Sequence, residues 1–134
     1  MLTSGDFHGL PTRMIRGEHV RVEFLAEAGP RIVRLFLARS DENLLAELPD
    51  FKFETPYGHY FFRGGHRLWH APESFPRTYF PDNEGLAIDE RPGGVRLTGP
   101  VESATGVRKR IEIHLHADQP ALTLRHELAN DGVW

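Results

Sequence analysis

At 134 residues, 40% apolar and 26% charged, the chain has the length and composition of one ordinary globular domain, which excludes a disordered or collagen-like polypeptide. A formal net charge of −3 argues against nucleic acid as a partner, because phosphate neutralisation needs a concentrated excess of Lys and Arg; the one basic run, Arg108-Lys109-Arg110, reads as the solvated face of a strand. There is no cysteine, Met1–Val20 lacks a basic start followed by an apolar core, and no apolar run approaches the roughly 18 residues of a membrane span, so the expected setting is the cytoplasm, with no membrane partner.

Helical periodicity is scarce, whereas short alternating runs bounded by Gly, Pro, Asn or Asp recur along the whole chain, and that pattern predicts an all-β fold, an antiparallel β-sandwich. Arg13–Arg16 reads as a short first strand and Gly17-Glu18 as its turn. Val20, Val22, Phe24 and Ala26 alternate with Arg21, Glu23 and Leu25, the period of a strand with one buried face. Ala28-Gly29-Pro30 turns the chain into Arg31–Ala38, apolar on both faces at Val33, Leu35, Phe36 and Leu37 and therefore expected to be central. Ser40–Asn43 is a polar turn, and Leu44–Leu48 is taken as a short strand.

From Pro49 to Asp82 the character changes: five prolines, six of the nine phenylalanines and all three tyrosines fall there. Each proline removes a ladder donor, so residues 49–82 are expected to form an aromatic, proline-rich excursion over the core. A regular meander follows, with strands over Gly85–Glu90, Val95–Thr98, Arg108–His116 and Ala121–Ala129. The Pro92-Gly93-Gly94 and Asp118-Gln119-Pro120 turns mark two hairpins.

The last hairpin can be read by face. One register places Lys109, Ile111, Ile113 and Leu115 on the same side as Leu122, Leu124, His126 and Leu128. His126 then points among the apolar side chains, while His114 and His116 join the charged face. The ending, Asn130-Asp131-Gly132-Val133-Trp134, reads as a turn and the start of another strand. Residues 1–134 are accordingly expected to be one β-sandwich domain, the N-terminal part of a longer one, or a chain that pairs its exposed C-terminal strand edge with a second copy.

Two histidine spacings raise the possibility of a metal. His114 and His116 share a strand face, as strand-borne zinc ligands do, but the register sends the next histidine, His126, to the opposite side. His66, His70 and Glu73 resemble the ligand types of a cupin site, although cupins place their histidines two apart and here they stand four apart, with Pro72 before the glutamate. No Gly-x-Ser-x-Gly elbow is present. Gly93-Gly94 has no helix after it to make a phosphate cradle, and no motif calls for a cofactor.

What remains is a polar and aromatic cluster in the excursion: Arg63, His66, Arg67, Trp69, His70 and Glu73, with Tyr57, His59 and Tyr60. Sugar rings present C–H faces that pack on aromatic rings and hydroxyls that suit planar donors such as Arg and His. The competing reading makes Phe61, Phe62 and Trp69 core and the charged groups their rim.

Ala28-Gly29-Pro30-Arg31-Ile32-Val33-Arg34-Leu35 followed by Asn43-Leu44-Leu45 resembles the opening strands of galactose-mutarotase-like (aldose 1-epimerase-like) proteins. Phe62-Arg63-Gly64-Gly65-His66-Arg67-Leu68-Trp69 resembles their next motif, and Gly64 to Glu73 is similar to the Gly-Gly-His-x-Leu-Trp-x-Ala-Pro-Glu signature of a bacterial branch. Leu124–Asn130 resembles the strand ending in asparagine midway through those proteins. The resemblance implies the N-terminal half of a β-supersandwich, with Arg63 where an arginine contacts sugar hydroxyls and His66 in place of a motif asparagine. It implies a carbohydrate ligand and, in active members, ring opening by a histidine acid and a glutamate base. Pro81-Asp82-Asn83-Glu84-Gly85, the stretch where the family's first histidine belongs, holds none. Carbohydrate binding bordered by Arg63, His66, Arg67, Trp69, His70 and Glu73 is the leading expectation; a metal-dependent cupin-like small barrel and a structural or dimerising β-domain are the alternatives.

Overall fold

The computed structural model describes residues 1–132, and it is all-β with three antiparallel sheets. In chain order the strands are β1 (Thr3–Phe7), β2 (Leu10–Arg16), β3 (Val20–Leu25), β4 (Arg31–Leu37), β5 (Glu47–Thr55), β6 (Gly58–Gly64), β7 (His66–Arg67), β8 (Ala87–Arg91), β9 (Gly94–Val101), β10 (Val107–Leu115) and β11 (Leu122–Asn130), with one 3-10 turn over Arg77–Tyr79. One sheet has the order β1-β2-β3-β4-β7, a second β11-β10-β9-β8, and β5-β6 forms a separate ribbon. Among the described residues no helix is long and apolar enough to cross a membrane.

The two larger sheets bury one core between them. Ile15, Val20, Val22, Phe24 and Ile32 from the first meet Val95, Leu97, Ile111, Ile113 and Leu115 from the second. These are the alternate residues of their strands, so period-2 patterning alone selects the inner face. β4 is apolar on both faces because it serves two clusters, with Ile32 in this core and Val33 in another. A smaller cluster of Phe7, Leu25, Ala28 and Val33, with Leu10 against it, forms a second centre.

The register of the last hairpin matches the reading by face: Ile111 stands opposite His126, Ile113 opposite Leu124 and Leu115 opposite Leu122. The basic run does not form a wholly solvated face. Lys109 is buried and its ammonium lies 3.1 Å from Glu102, because it occupies the inward position of its strand.

Several expected boundaries change. The first strand is longer than Arg13–Arg16, and a further strand, β1, precedes it through a tight turn at His8-Gly9, where both φ angles are positive (49° and 89°), the geometry of a type I′ hairpin. Leu44 and Leu45 are not in a strand; β5 starts only at Glu47. The Asn43 side chain explains this: its Oδ1 accepts from the backbone of Leu35 and Leu45, both at 3.0 Å, and its amide donates to Glu47 at 2.9 Å, which holds a bend in place of a ladder. The excursion is half regular, since residues 47–64 are the β5-β6 ribbon, with the register shift between Leu48 and Lys52 absorbing Pro49 at a bulge. Val133 and Trp134, where a further strand was expected to start, lie outside the described residues.

Candidate functional site

The chain reverses at Arg63-Gly64-Gly65, where three successive residues have positive φ (60°, 81° and 69°). The glycines are obligatory. A Cβ on Gly64 would lie 2.1 Å from the Ala46 carbonyl oxygen, and one on Gly65 would lie 2.0 Å from that of Ile32. The motif is thus threaded between the backbone at the start of the ribbon and the backbone of β4, and the Gly65 N–H donates to the Ala46 carbonyl at 2.9 Å. From this reversal the chain enters β7 and rejoins the larger sheet.

Arg63 itself is no glycine, and left-handed backbone costs a side-chain-bearing residue about 1–2 kcal/mol. The residue is 5% exposed. Nη2 donates to the Asn83 Oδ1 at 2.8 Å and the guanidinium lies 5.2 Å from the centre of the Phe61 ring, while Nε and Nη1 have no hydrogen-bond partner. Burial pushes its pKa below the usual arginine value, opposed by the nearby Asp82 carboxylate. That carboxylate already receives the Arg31 guanidinium at 2.8 Å. Arg63 lines a cavity of about 400 Å³ together with Phe7, His8, Leu10, Pro49, Phe61 and Asn83, within the range of small-molecule sites. His8 on the rim is bonded through Nε2 to Glu47 at 2.6 Å.

The other expected residues are not gathered there. Arg67 stacks its guanidinium 3.8 Å from the centre of the Trp69 ring and 4.5 Å from that of Phe62, and the Trp69 indole N–H donates to the Tyr60 hydroxyl at 2.9 Å. Tyr60 is buried, with Phe53, Phe62, Trp69 and Tyr79 rings around it, and burial raises its phenol pKa. Glu73 accepts from the Tyr79 hydroxyl. Arg67 and Trp69 therefore pin the 68–80 loop onto the ribbon, and Glu73 braces that loop internally. In that aromatic knot stacked, satisfied groups are the material of a scaffold.

His66 leaves this group by another route and meets a residue that pattern reading had not joined to it. Its Nε2 lies 2.7 Å from the Nε2 of His126. His70 occupies a third place, a cleft of about 200 Å³ between its own loop and the end of β11, with Arg77, Val107, Leu128 and Ala129 in the wall. Its Nε2 is buried without a partner, and burial lowers its pKa. His66, His70 and Glu73 thus do not share one site, and among the described residues no three His, Asp or Glu side chains could hold one metal ion.

Residues that sequence reading missed decide the geometry of the arginine cavity. Arg31, with no solvent exposure, donates to the carbonyls of Phe61 (3.1 Å) and Phe62 (2.5 Å) and to Asp82, so it clamps the ribbon to the sheet edge. Asn83 holds Arg63 and donates to the His59 carbonyl at 3.2 Å. The only sequence signal for Asp82 and Asn83 was a polar step after Pro81. Compared with family models, curated proteins and solved structures, the chain matches none.

Proposed function

We propose that this chain is a carbohydrate-recognition β-sandwich of the galactose-mutarotase-like kind, and that the sugar sits in the cavity lined by Arg63. One observation carries the reading: a buried arginine in left-handed backbone, with two guanidinium nitrogens that lack a hydrogen-bond partner, lines a cavity with an apolar wall. Strained backbone outside glycine is a pointer to function when the surroundings enforce it. An orphaned buried donor costs about 1–3 kcal/mol, and a ligand hydroxyl or anionic oxygen in the cavity would relieve it.

The remaining lining residues suit the same ligand. Phe7, Leu10, Pro49 and Phe61 offer surface for the C–H face of a sugar ring, and Asn83 and His8 add polar groups beside Arg63. The position of Arg63 within Phe62-Arg63-Gly64-Gly65-His66 supports it independently. Recognition, rather than ring opening, is the role assigned. Of the six residues expected to border the sugar, the proposal retains Arg63, gives Arg67 and Trp69 the task of holding the ribbon and leaves Glu73 bracing its own loop.

Titration calorimetry of the chain with neutral, acidic and phosphorylated monosaccharides tests this. Binding by at least one class, abolished in Arg63→Ala, is expected. Absence of heat with every sugar, or equal binding by Arg63→Ala, would overturn it.

A further inference from the structure

β11 is the longest edge strand of the two packed sheets, with nine residues against five in β1, two in β7 and five in β8. Natural sheets protect such edges by keeping them short or by placing inward charges on them. β11 does neither. Its inward residues are Leu122, Leu124, His126 and Leu128, and Leu128 is 44% exposed, whereas the β10 residues opposite all four are buried.

The backbone of this edge is also available. The His116 N–H donates to the Ala121 carbonyl and that of Asp131 to the Gly106 carbonyl, so in this antiparallel ladder the odd-numbered residues of β11 bond to β10. The N–H and C=O groups of Leu122, Leu124, His126 and Leu128 then point away from the sheet. β11 has β10 as its sole strand partner among the described residues.

The outward sequence identifies what would cover it. Antiparallel pairing of β11 with another β11 about a two-fold axis at His126 sets Arg125 of each chain opposite Glu127 of the other, twice. The same register sets Leu124 opposite Leu128, twice, on the inner face. Centring on Leu124 would place Arg125 opposite Thr123 and lose the charge match. Centring on Leu128 would leave Leu122 and Leu124 uncovered. We propose that two copies of this chain associate through β11 in the His126-centred register, joining their four-stranded sheets into one of eight strands. This surface is independent of the arginine cavity, and the proposal does not rest on sugar binding.

Sedimentation equilibrium of the intact chain, from low micromolar to sub-millimolar, should show the mass of two 15.3 kDa chains. Glu127→Arg alone faces Arg125 with arginine, and Arg125→Glu alone faces Glu127 with glutamate, so each variant should sediment as a single chain. Their equimolar mixture restores both charge pairs and should return to two chains, a recovery that a folding defect would not produce. Leu128→Lys, at an already exposed position, should also give single chains. A monomeric wild type, a dimer unaffected by these substitutions, or a mixture without recovery would overturn the proposal.

Discussion

Nε2 of His66 on β7 and Nε2 of His126 on β11 lie 2.7 Å apart, which links one edge of the five-stranded sheet to one edge of the four-stranded sheet. At that distance the two imidazoles share a single proton, one ring donating and the other accepting. Protonating the accepting ring as well would set two N–H donors against each other. Burial and the charge on His126 both lower the His66 pKa from its ordinary 6.5, so the folded state binds this proton less readily than the unfolded chain. The contribution is fully present above pH 6.5 and is lost as pH falls through the folded-state value. Thermal unfolding should show a Tm that declines below pH 6.5, with a shallower decline in His66→Gln. Equal slopes in the two proteins would show that the pair does not titrate in this way.

A larger effect is expected at Arg31. Its side chain is 1% exposed and satisfies Asp82 together with the Phe61 and Phe62 carbonyls. Arg31→Ala leaves a largely buried carboxylate without its cation, and breaking such a pair costs about 3–5 kcal/mol. Arg31→Lys should recover little of this, since a single ammonium cannot span both carbonyls and the carboxylate. Urea denaturation measures both values. A loss below about 1 kcal/mol in Arg31→Ala would mean that the ribbon is held by its aromatic rings alone.

The strands were the legible part of this molecule, and the reason is local. Val20, Val22 and Phe24, like Ile111, Ile113 and Leu115, declare a buried face by alternation, and one register of the last hairpin places His126 on the inward side. β1 escaped because Thr3-Ser4-Gly5-Asp6 has no apolar alternation; its inward anchor is the single Phe7 at its end. The ribbon escaped because its prolines mask a ladder that a bulge preserves. Side chains that meet across the sheets are another matter. His66 and His126 are 60 residues apart, and Arg63 bonds to Asn83 and shares a cavity with Phe7 and His8 from the first hairpin. Such meetings depend on the path of loops and the docking of sheets, neither of which has a period in sequence.

Glu47 ties the start of the ribbon to β4 and to the first hairpin. It accepts from Arg34 at 2.7 Å, His8 at 2.6 Å and Asn43 at 2.9 Å. The Arg34 hydrogen bond is the main cause that lowers its pKa from 4.5 to about 2. A depressed carboxylate contributes stability that is present above pH 4.5 and disappears as pH falls through 2. With a quarter of the side chain exposed (26%), solvent screening reduces the value to about 1–2 kcal/mol. Glu47→Gln should lose that amount at pH 7 and differ little from wild type near pH 2, as read from urea midpoints at the two pH values. A constant difference across that range would assign the loss to packing instead of charge.

Arg63 separates a binding role from a structural one most sharply. A structural arginine would be expected to satisfy its donors, as Arg31 largely does, yet Arg63 leaves two of them unpartnered in the wall of a cavity. Replacing a buried, incompletely paired charge by an apolar side chain of similar length is neutral or stabilising in many folds. Arg63→Met keeps the packing of the stem against the ribbon and removes the charge. Its unfolding free energy is expected to equal that of wild type or exceed it by about 1 kcal/mol, while calorimetric sugar binding disappears. Stability bought at the cost of binding is the signature of a residue retained for its ligand. If Arg63→Met instead destabilises the chain by more than about 2 kcal/mol, the guanidinium is a structural clamp like that of Arg31, and the cavity loses its claim to be the site.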